Sequence, residues 1–405
     1  MNVKLRLGMM MFLQYAIWGA WAPVLSVYLK ETLGFTGLQF GIIYSLLPLA
    51  TIIAPFISGQ IADRYFASQK VVGFLQLTGG ALLVFVSSVT DYRTMMWLML
   101  FYCLLYAPTL ALTNSIAFIN LKDPEKDFGI IRVWGTIGWI VAGLVLMGWR
   151  FTSKSFEPIA FAGDTFLLAG IFSIIMAIQS FTLPHTPPKK EAAKPWAFLE
   201  ALKMMKEKNF AVFIIIAFVV STELMFYYIL TAPFLTSEKI GLSDAAVPGV
   251  MVIAQVAEIF VLAIFLPYLI KRIGIRNILV IGGLAWPARY IIFAIGKPSW
   301  LVIASLSLHG FCFVFFFAAA FIYVDMVAPR DIRHSAQSFI IFVTYGIGNY
   351  IGSLFAGWIH DHFTIEEATN WTAVFLIPCL LTILCALAFL FFFKPKQATV
   401  ATEQR

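Results

Sequence analysis

Long apolar runs recur along the whole sequence and constrain its fold more than any other feature. A helix rises 1.5 Å per residue, so about 20 apolar residues cross the roughly 30 Å hydrocarbon core of a bilayer. Backbone in lipid satisfies its hydrogen bonds only in helices or closed barrels, and runs this continuous indicate helices. We predict an all-α membrane protein with twelve spans, at about residues 8–29, 38–60, 71–89, 95–120, 128–149, 165–183, 209–232, 246–270, 277–296, 299–324, 335–359 and 371–393.

The composition agrees with this class, since 61% of the residues are hydrophobic and only 12% are charged. Soluble domains carry roughly 25% charged residues. The first run contains Trp18 and Trp21 and lacks a small-residue cleavage site, which favours a span over a signal peptide. The four cysteines lie inside apolar runs without metal-like spacing. We therefore expect no metal and no cofactor.

The net charge of +7 is distributed as in a membrane protein. Twelve spans put both termini on one side, and most of the 28 Lys and Arg fall in the loops of that side. Cytoplasmic loops carry such an excess of positive charge, whereas a nucleic-acid site would need one basic patch. We expect a monomer in the bilayer of a bacterial cytoplasmic (inner) membrane, with both termini in the cytoplasm and no nucleic-acid partner.

The longest polar stretch, 184–208, divides the spans into two groups of six. A weak similarity between two loops supports duplication of a six-span unit. Short basic loops follow the second and the eighth spans, with the sequences GQIADRYFASQK and YLIKRIGIRN. Two pseudo-symmetric six-helix halves are the layout of the major facilitator fold, with the substrate site between them near the midplane. The predicted domains are an N-terminal bundle (1–183), a cytoplasmic linker (184–208), a C-terminal bundle (209–394) and a cytoplasmic tail (395–405).

One carboxylate, Glu258, lies near the middle of the apolar run 246–270. Ionisable groups at the bilayer midplane are expensive and mark substrate or ion pathways. Gln255 lies three residues earlier and therefore on the same helical face. The pair predicts a polar site inside the membrane.

Arg132 begins the fifth span, and two interpretations of it remain open. Its stem is long enough to extend to the cytoplasmic surface. Alternatively, its guanidinium faces a cavity, where it pairs with Glu258 or holds a ligand. Thr136 and Trp139 follow at i+4 and i+7, so all three residues share one helical face.

Three further ionisable residues lie inside predicted spans. Glu223 and Arg289 have comparable depths, and either pair with each other or contact other groups separately. His309 is either a titrating group or, as such histidines more often are, a hydrogen-bonded core residue.

The loop after the second span contains Gly59-x-x-x-Asp63-Arg64, which resembles a gating signature of the major facilitator superfamily. In that signature, the Asp interacts with the N-terminal end of a neighbouring helix. A second glycine is replaced here by Phe66, and an ordinary basic turn is the alternative interpretation.

The sequence contains no catalytic constellation. It has no nucleophile elbow, no HExxH and no phosphate-binding glycine loop. We therefore expect a protein that is not an enzyme, and whose energy source is an ion gradient or the substrate gradient.

Several segments together are similar to the bacterial nucleoside:proton symporter family of the major facilitator superfamily. They are FLQYAIWGAW, YAPTLALTNSIAF, IRVWGTIGW, AQVAE and HSAQSFIIFVTYGIGNYIGSLFAG. The resemblance extends from end to end and implies uptake of nucleosides with protons. Carried to matching positions, it implies that Arg132, Thr136 and Trp139 line the cavity, that Gln255 and Glu258 bind the ligand, and that Phe313 stacks on the base.

The sequence departs from the family pattern at four positions. Polar amides of the seventh span appear here as Met225 and Tyr228, an acidic position is Val314, and a family tyrosine is His309. Tyr228 is itself a candidate for stacking on a planar ligand. Sites that hydrogen-bond a ligand discriminate strongly by those bonds, so these changes bear on substrate choice.

The predicted mechanism is alternating access by rocking of the two halves about the central site. Glu258 is the expected proton carrier, and Arg132 engages either this carboxylate or the substrate. Transport of another neutral polar solute, such as a sugar or glycoside, is the first alternative. A non-transporting membrane receptor is the second.

Overall fold

A computed structural model describes residues 2–153, 163–188 and 197–394; within these ranges the side chains of 55–65, 125, 197 and 198 lie outside the description. Ten of the described helices are long and apolar enough to cross a membrane, and residues Asp164–Ser180 form a shorter apolar helix. The longest, Val247–Ile295, contains the non-helical residue Gly274 (φ 76°, ψ 163°), which divides it into two segments. The described residues thus contain the twelve predicted apolar segments.

Gly274 can separate two helices because positive φ is readily accessible only to glycine. In chain order the helices are α1 (Val3–Thr32), α2 (Gly37–Tyr65), α3 (Ser68–Val86), α4 (Tyr92–Asn120), α5 (Pro124–Ser153), α6 (Asp164–Ser180), α7 (Lys208–Thr236), α8 (247–273), α9 (275–295), α10 (Ser299–Val327), α11 (Arg330–His362) and α12 (Trp371–Phe392).

Several helices depart from regular α geometry. Short π-helical turns occur at Tyr28–Thr32, Val261–Phe265, Phe313–Ala318 and Phe342–Gly348. Such turns are rare and are found frequently at functional sites. Three of these four lie in α8, α10 and α11, all in the second half of the chain.

Two short elements complete the structure. A 3-10 helix, Ala197–Lys206, precedes α7 within the predicted linker. Between α11 and α12, strands β1 (Thr364–Ile365) and β2 (Ala368–Thr369) pair antiparallel, with Thr364 opposite Thr369. The turn residues Glu366 and Glu367 both have positive φ, as a two-residue hairpin turn requires.

Helix packing repeats between the two halves. In the N-half (α1–α6), α1 packs against α5 and α3 against α6; in the C-half (α7–α12), α7 packs against α11 and α9 against α12. The halves meet where α2 packs on α11 and α5 packs on α8. This repetition is what duplication of a six-helix unit predicts, whereas the domain limits given above stay a prediction.

The closest contacts between the halves lie at one end of the bundle. We call this end, opposite to the start of α1 and the end of α12, the far side; the other end is the termini side. On the far side, a Cβ added to Gly143 of α5 would lie 2.9 Å from the carbonyl oxygen of Pro248 in α8. Glycine therefore allows backbone-to-backbone contact there, and the two halves close against each other.

Candidate functional site

An aromatic series connects the two halves at the centre of the bundle. Trp18 of α1 lies 5.4 Å from Trp139 of α5, measured between ring centroids, and Trp139 lies 6.1 Å from Tyr228 of α7. Tyr15 precedes Trp18 by one helical turn, at 6.4 Å. Tyr15, Trp18 and Tyr228 are partly exposed although they lie in the interior of long helices. These rings therefore line a central space between the halves.

Arg132 faces this central space. Helix α5 begins at Pro124, so Arg132 lies more than two turns inside the helix. Its guanidinium carbon sits 3.9 Å from the centre of the Tyr15 ring, a cation–π contact that directs the charge inward. The alternative interpretation, an arginine extended to the membrane surface, does not describe this geometry. Thr136, one turn further along α5, is also partly exposed.

Glu258 and Gln255 approach from the opposite half on α8. Gln255 is buried and Glu258 is partly exposed. Glu258 interacts electrostatically with Arg132 across the space, but the described residues show no ion pair within 4.0 Å between them. A carboxylate of the C-half and a guanidinium of the N-half thus interact electrostatically without an ion pair within 4.0 Å.

Helix α10 is held tightly against α8 beside Glu258. A Cβ on Gly310 would lie 2.7 Å from the carbonyl group of Ala257 and 3.0 Å from the backbone nitrogen of Glu258. Only glycine permits this approach, which brings the next turn of α10 to the site. Phe313, on that turn, is partly exposed and starts the π-helical segment. The structure therefore places Phe313 with Tyr228 and Glu258 in the same half.

His309 lies behind this wall as a buried core residue. Its ring stacks on Tyr227 at 4.1 Å and lies 5.8 Å from Phe313 and 6.1 Å from Tyr228. Arg289 donates a hydrogen bond from Nη1 to His309 Nδ1 at 3.0 Å. Arginine has no acceptor, so Nδ1 must accept and the remaining ring proton sits on Nε2.

Glu223 and Arg289 do not form an ion pair within 4.0 Å among the described residues. Both are fully buried, and both contact Tyr290. The Arg289 guanidinium carbon is 5.3 Å from that ring, while the tyrosine hydroxyl donates to the carbonyl oxygen of Glu223 at 2.6 Å. Of the two interpretations, separate contacts describe the structure.

The altered family positions divide into two groups. Met225 and Val314 are buried in the C-half, with exposures of 5% and 1%. Tyr228 borders the central space directly, and His309 stands immediately behind it. Of these four positions, Tyr228 is therefore the one that can contact a ligand directly, and His309 can act on the ligand only through Tyr228 and Phe313.

Sequence reasoning missed Tyr15, Trp18 and Tyr345 as candidates. Tyr345 is partly exposed in the π-helical segment of α11 and interacts electrostatically with both Glu258 and Arg132. In α1, the spacing of Tyr15 and Trp18, three positions apart, could have indicated that both rings lie on one helical face. That spacing also describes ordinary packing against lipid, so it did not single them out.

Two other groups of residues have simple outcomes. The gating residues Gly59, Asp63 and Arg64 belong to the end of α2, and their side chains lie outside the described residues. The prediction about gating therefore stays a prediction.

No group of three or more His, Cys, Asp or Glu suited to a metal occurs in the described part of the chain.

Comparison with known proteins identifies the family. The family model described as nucleoside H+ symporter matches residues 1–398. The chain is 31% identical to the nucleoside permease NupG of Escherichia coli, over 99% of this chain and 98% of that protein. It is also 31% identical to the xanthosine permease of Escherichia coli, over 97% and 96%.

Solved structures agree with the sequence matches. The crystal structure of the nucleoside transporter NupG superposes with a TM-score of 0.85 at 30% identity, covering 98% of this chain and all of that one. The predicted major facilitator fold is thereby confirmed for this multi-pass membrane protein, and its relatives are transporters rather than enzymes. The chain belongs to the nucleoside H+ symporter family.

Proposed function

We propose that this protein imports nucleosides together with protons by alternating access of its two halves to a central site. The observation that carries the proposal is the electrostatic interaction of Glu258 from the C-half with Arg132 from the N-half, at a space lined by aromatic rings. Membership of the nucleoside H+ symporter family supports the same substrate and coupling ion.

The chemistry of the lining suits a nucleoside. Flat aromatic surfaces at Trp139, Tyr228 and Phe313 suit stacking on a planar base, which is favourable for every base. The polar groups of Thr136 and Gln255, together with the two charged residues, suit the hydroxyl groups of the sugar. We assign these residues to the substrate site.

Proton coupling is assigned to Glu258 and Arg132. Arg132 is permanently charged, and it lies close enough to Glu258 for attraction but not for a salt bridge within 4.0 Å. A substrate that engages the guanidinium weakens its hold on the carboxylate, so that substrate binding and proton binding favour one another. This is coupling in the thermodynamic sense, since each ligand changes the affinity for the other.

The positive charge on the termini side supports cytoplasmic termini in the inner membrane of a bacterium. The far side then faces outward, and its close backbone contacts correspond to closure on the outside. With the outer side closed, the substrate exchanges with the cytoplasm.

The test uses Glu258→Gln in proteoliposomes with labelled uridine and adenosine. We expect accumulation driven by an inward pH gradient to fall by at least about tenfold, because Gln cannot carry a proton, while exchange of labelled for unlabelled substrate without a gradient persists. Undiminished gradient-driven accumulation contradicts the assignment. Competition by a panel of nucleosides and sugars tests the substrate class, and displacement by sugars but by no nucleoside contradicts it.

A further inference from the structure

We propose that Asp361 latches the two halves together on the far side by capping the first turn of a helix that belongs to the other half. The inference rests on the alternating access of the proposed function, because a latch matters only where the halves separate. Asp361 lies near the end of α11 in the C-half, and the helix that it caps is α2 of the N-half.

The latch consists of two hydrogen bonds across the interface. The Asp361 carboxylate accepts from the backbone nitrogen of Gly37 at 2.5 Å through Oδ1 and from that of Leu38 at 2.8 Å through Oδ2. The first N–H groups of a helix have no partner within the helix, and a negative charge there also interacts favourably with the helix dipole. Bonds to an ionised acceptor are stronger than neutral ones.

The local cap of α2 leaves these two amides unsatisfied. Thr36 and Gln39 form a capping box, in which the Thr36 side chain accepts from the Gln39 backbone and the Gln39 side chain accepts from the Thr36 backbone. The amides of Gly37 and Leu38 lie between these two in the sequence and take no part in the box. The N-half therefore presents two free donors, and the C-half supplies the acceptor.

Glycines bring the two helices close enough for this contact. A Cβ on Gly37 would lie 2.5 Å from the carbonyl oxygen of Gly357 and 2.6 Å from Asp361 Oδ1. One turn further along α2, a Cβ on Gly41 would lie 2.6 Å from the carbonyl oxygen of Ser353. Any side chain at these positions pushes the helices apart and removes the carboxylate from the amides.

Aromatic residues of both halves cover the latch. The fully buried Phe40 of α2 lies 5.2 Å from the His360 ring of α11, and His360 lies 5.8 Å from Trp371 of α12. Lys30 of α1 is placed over the Trp371 ring at 5.8 Å. Opening the far side must break the Phe40–His360 and Lys30–Trp371 contacts together with the two hydrogen bonds, so that Asp361 biases the protein towards closure.

Asp91 provides a matched control. It also caps a helix, since its carboxylate accepts from the Thr94 backbone nitrogen at 2.8 Å, but the helix is its own, α4. The backbone nitrogen and the hydroxyl of Thr94 both donate to this carboxylate and hold the pKa of Asp91 below its usual range. Asp91→Asn therefore removes the same kind of charged cap without touching the interface between the halves.

The experiment measures the far-side distance directly. Spin labels are attached at Thr32→Cys in the N-half and Glu238→Cys in the C-half, which are both exposed; the four native cysteines are buried. We expect Asp361→Ala to raise the ratio of open to closed far-side distances by at least about tenfold, as loss of two charge-assisted bonds implies, with Asp361→Asn intermediate. Asp91→Asn leaves the ratio unchanged.

Identical distance distributions for Asp361→Ala and Asp91→Asn overturn the proposal. Should Asp361→Ala not fold, Gly357→Ala provides the second variant, since its Cβ would contact the carbonyl group of Gly37 and must separate the same helices. An unshifted distribution in Gly357→Ala equally overturns it. The distance measurement needs no substrate, so failure of the latch and failure of nucleoside transport are distinguishable.

Discussion

Two buried clusters of polar side chains, one in each half, differ in how completely their hydrogen bonds are satisfied. In the N-half, Gln14, Gln76 and Thr109 form an uncharged network: Gln14 Nε2 donates to Thr109 Oγ1 at 2.9 Å, and Gln76 Nε2 donates to Gln14 Oε1 at 3.1 Å. Ser173 completes it by donating to Gln76 Oε1 at 2.6 Å. Both amide groups thus have a partner for their donor and for their acceptor atoms.

In the C-half, the corresponding interior holds ionisable groups whose hydrogen bonds are incomplete. Arg289 is fully buried, has no carboxylate within 4.0 Å among the described residues, and is surrounded by the rings of Tyr227, Trp286 and Tyr290. Arg289 Nε, His309 Nε2 and Glu223 Oε2 are buried without a hydrogen-bond partner in the described part of the structure.

This difference indicates different roles for the two clusters. A network in which each amide is satisfied fixes side chains and rigidifies a core, whereas unsatisfied buried groups are costly and persist where function requires them. The C-half cluster lies directly behind Tyr228 and Phe313, which border the central space. We infer that the N-half cluster serves stability and that Arg289 and His309 of the C-half cluster serve transport.

The largest expected effect is on transport, in Arg289→Met. This change removes the bond to His309 Nδ1 and the cation that the surrounding rings enclose, so His309 and Tyr227 lose their fixed positions. We expect nucleoside uptake to fall by at least about tenfold. The free energy of unfolding in detergent should change by less than about 2 kcal/mol, because removing an unpaired buried charge offsets the cost of leaving His309 Nδ1 without a donor. Normal uptake by Arg289→Met would contradict a role in transport for the buried C-half cluster.

The next effect is on stability, in Gln76→Leu. The change removes the donor to Gln14 Oε1 and the acceptor for Ser173, and stranded buried polar groups cost about 1–3 kcal/mol each. We expect the folded protein to lose about 2–4 kcal/mol, measured by thermal unfolding, while the fraction that remains folded transports within about twofold of the wild type. A stable Gln76→Leu variant with abolished uptake reverses the roles of the two clusters.

The sequence predicts the helices better than it predicts the partners of their charged residues. Apolar runs determine which segments are helical in a membrane, so twelve segments and a major facilitator fold followed from them. Depth along a helix, in contrast, says nothing about which neighbour a side chain meets. Glu223 and Arg289 have similar depths, yet the contacts of Arg289 are with His309 and aromatic rings, because these lie on the helix faces that pack against α9.

The candidate site divides in the same way. Arg132 and Glu258 were predictable, because an ionisable residue inside an apolar helix is conspicuous in any sequence. Tyr15 and Trp18 were not, since aromatic residues are frequent along this chain and only tertiary packing shows which of them meet Arg132 and Trp139. The latch at Asp361 depends on a contact between residues 324 positions apart, which no local pattern reveals.

The smallest expected effect separates two glutamates that lie deep inside spans of the C-half, Glu223 and Glu258. Glu223 has no Lys, Arg or His within 4.0 Å among the described residues, and its Oε1 accepts only from the adjacent Thr222. Glutamine has the same shape and retains that acceptor, so Glu223→Gln breaks no ion pair. We expect a stability change below about 1 kcal/mol and gradient-driven uptake within about twofold of the wild type.

Glu258→Gln makes the same chemical change where Arg132 faces the carboxylate, and it is expected to lower gradient-driven accumulation by at least about tenfold, as stated above. Side-by-side uptake by the two variants, at matched protein density in the same proteoliposomes, therefore isolates the effect of position from that of chemistry. Equal losses in both variants would show that the buried Glu223 also takes part in proton coupling, and that the incomplete bonds behind Tyr228 belong to the proton pathway itself.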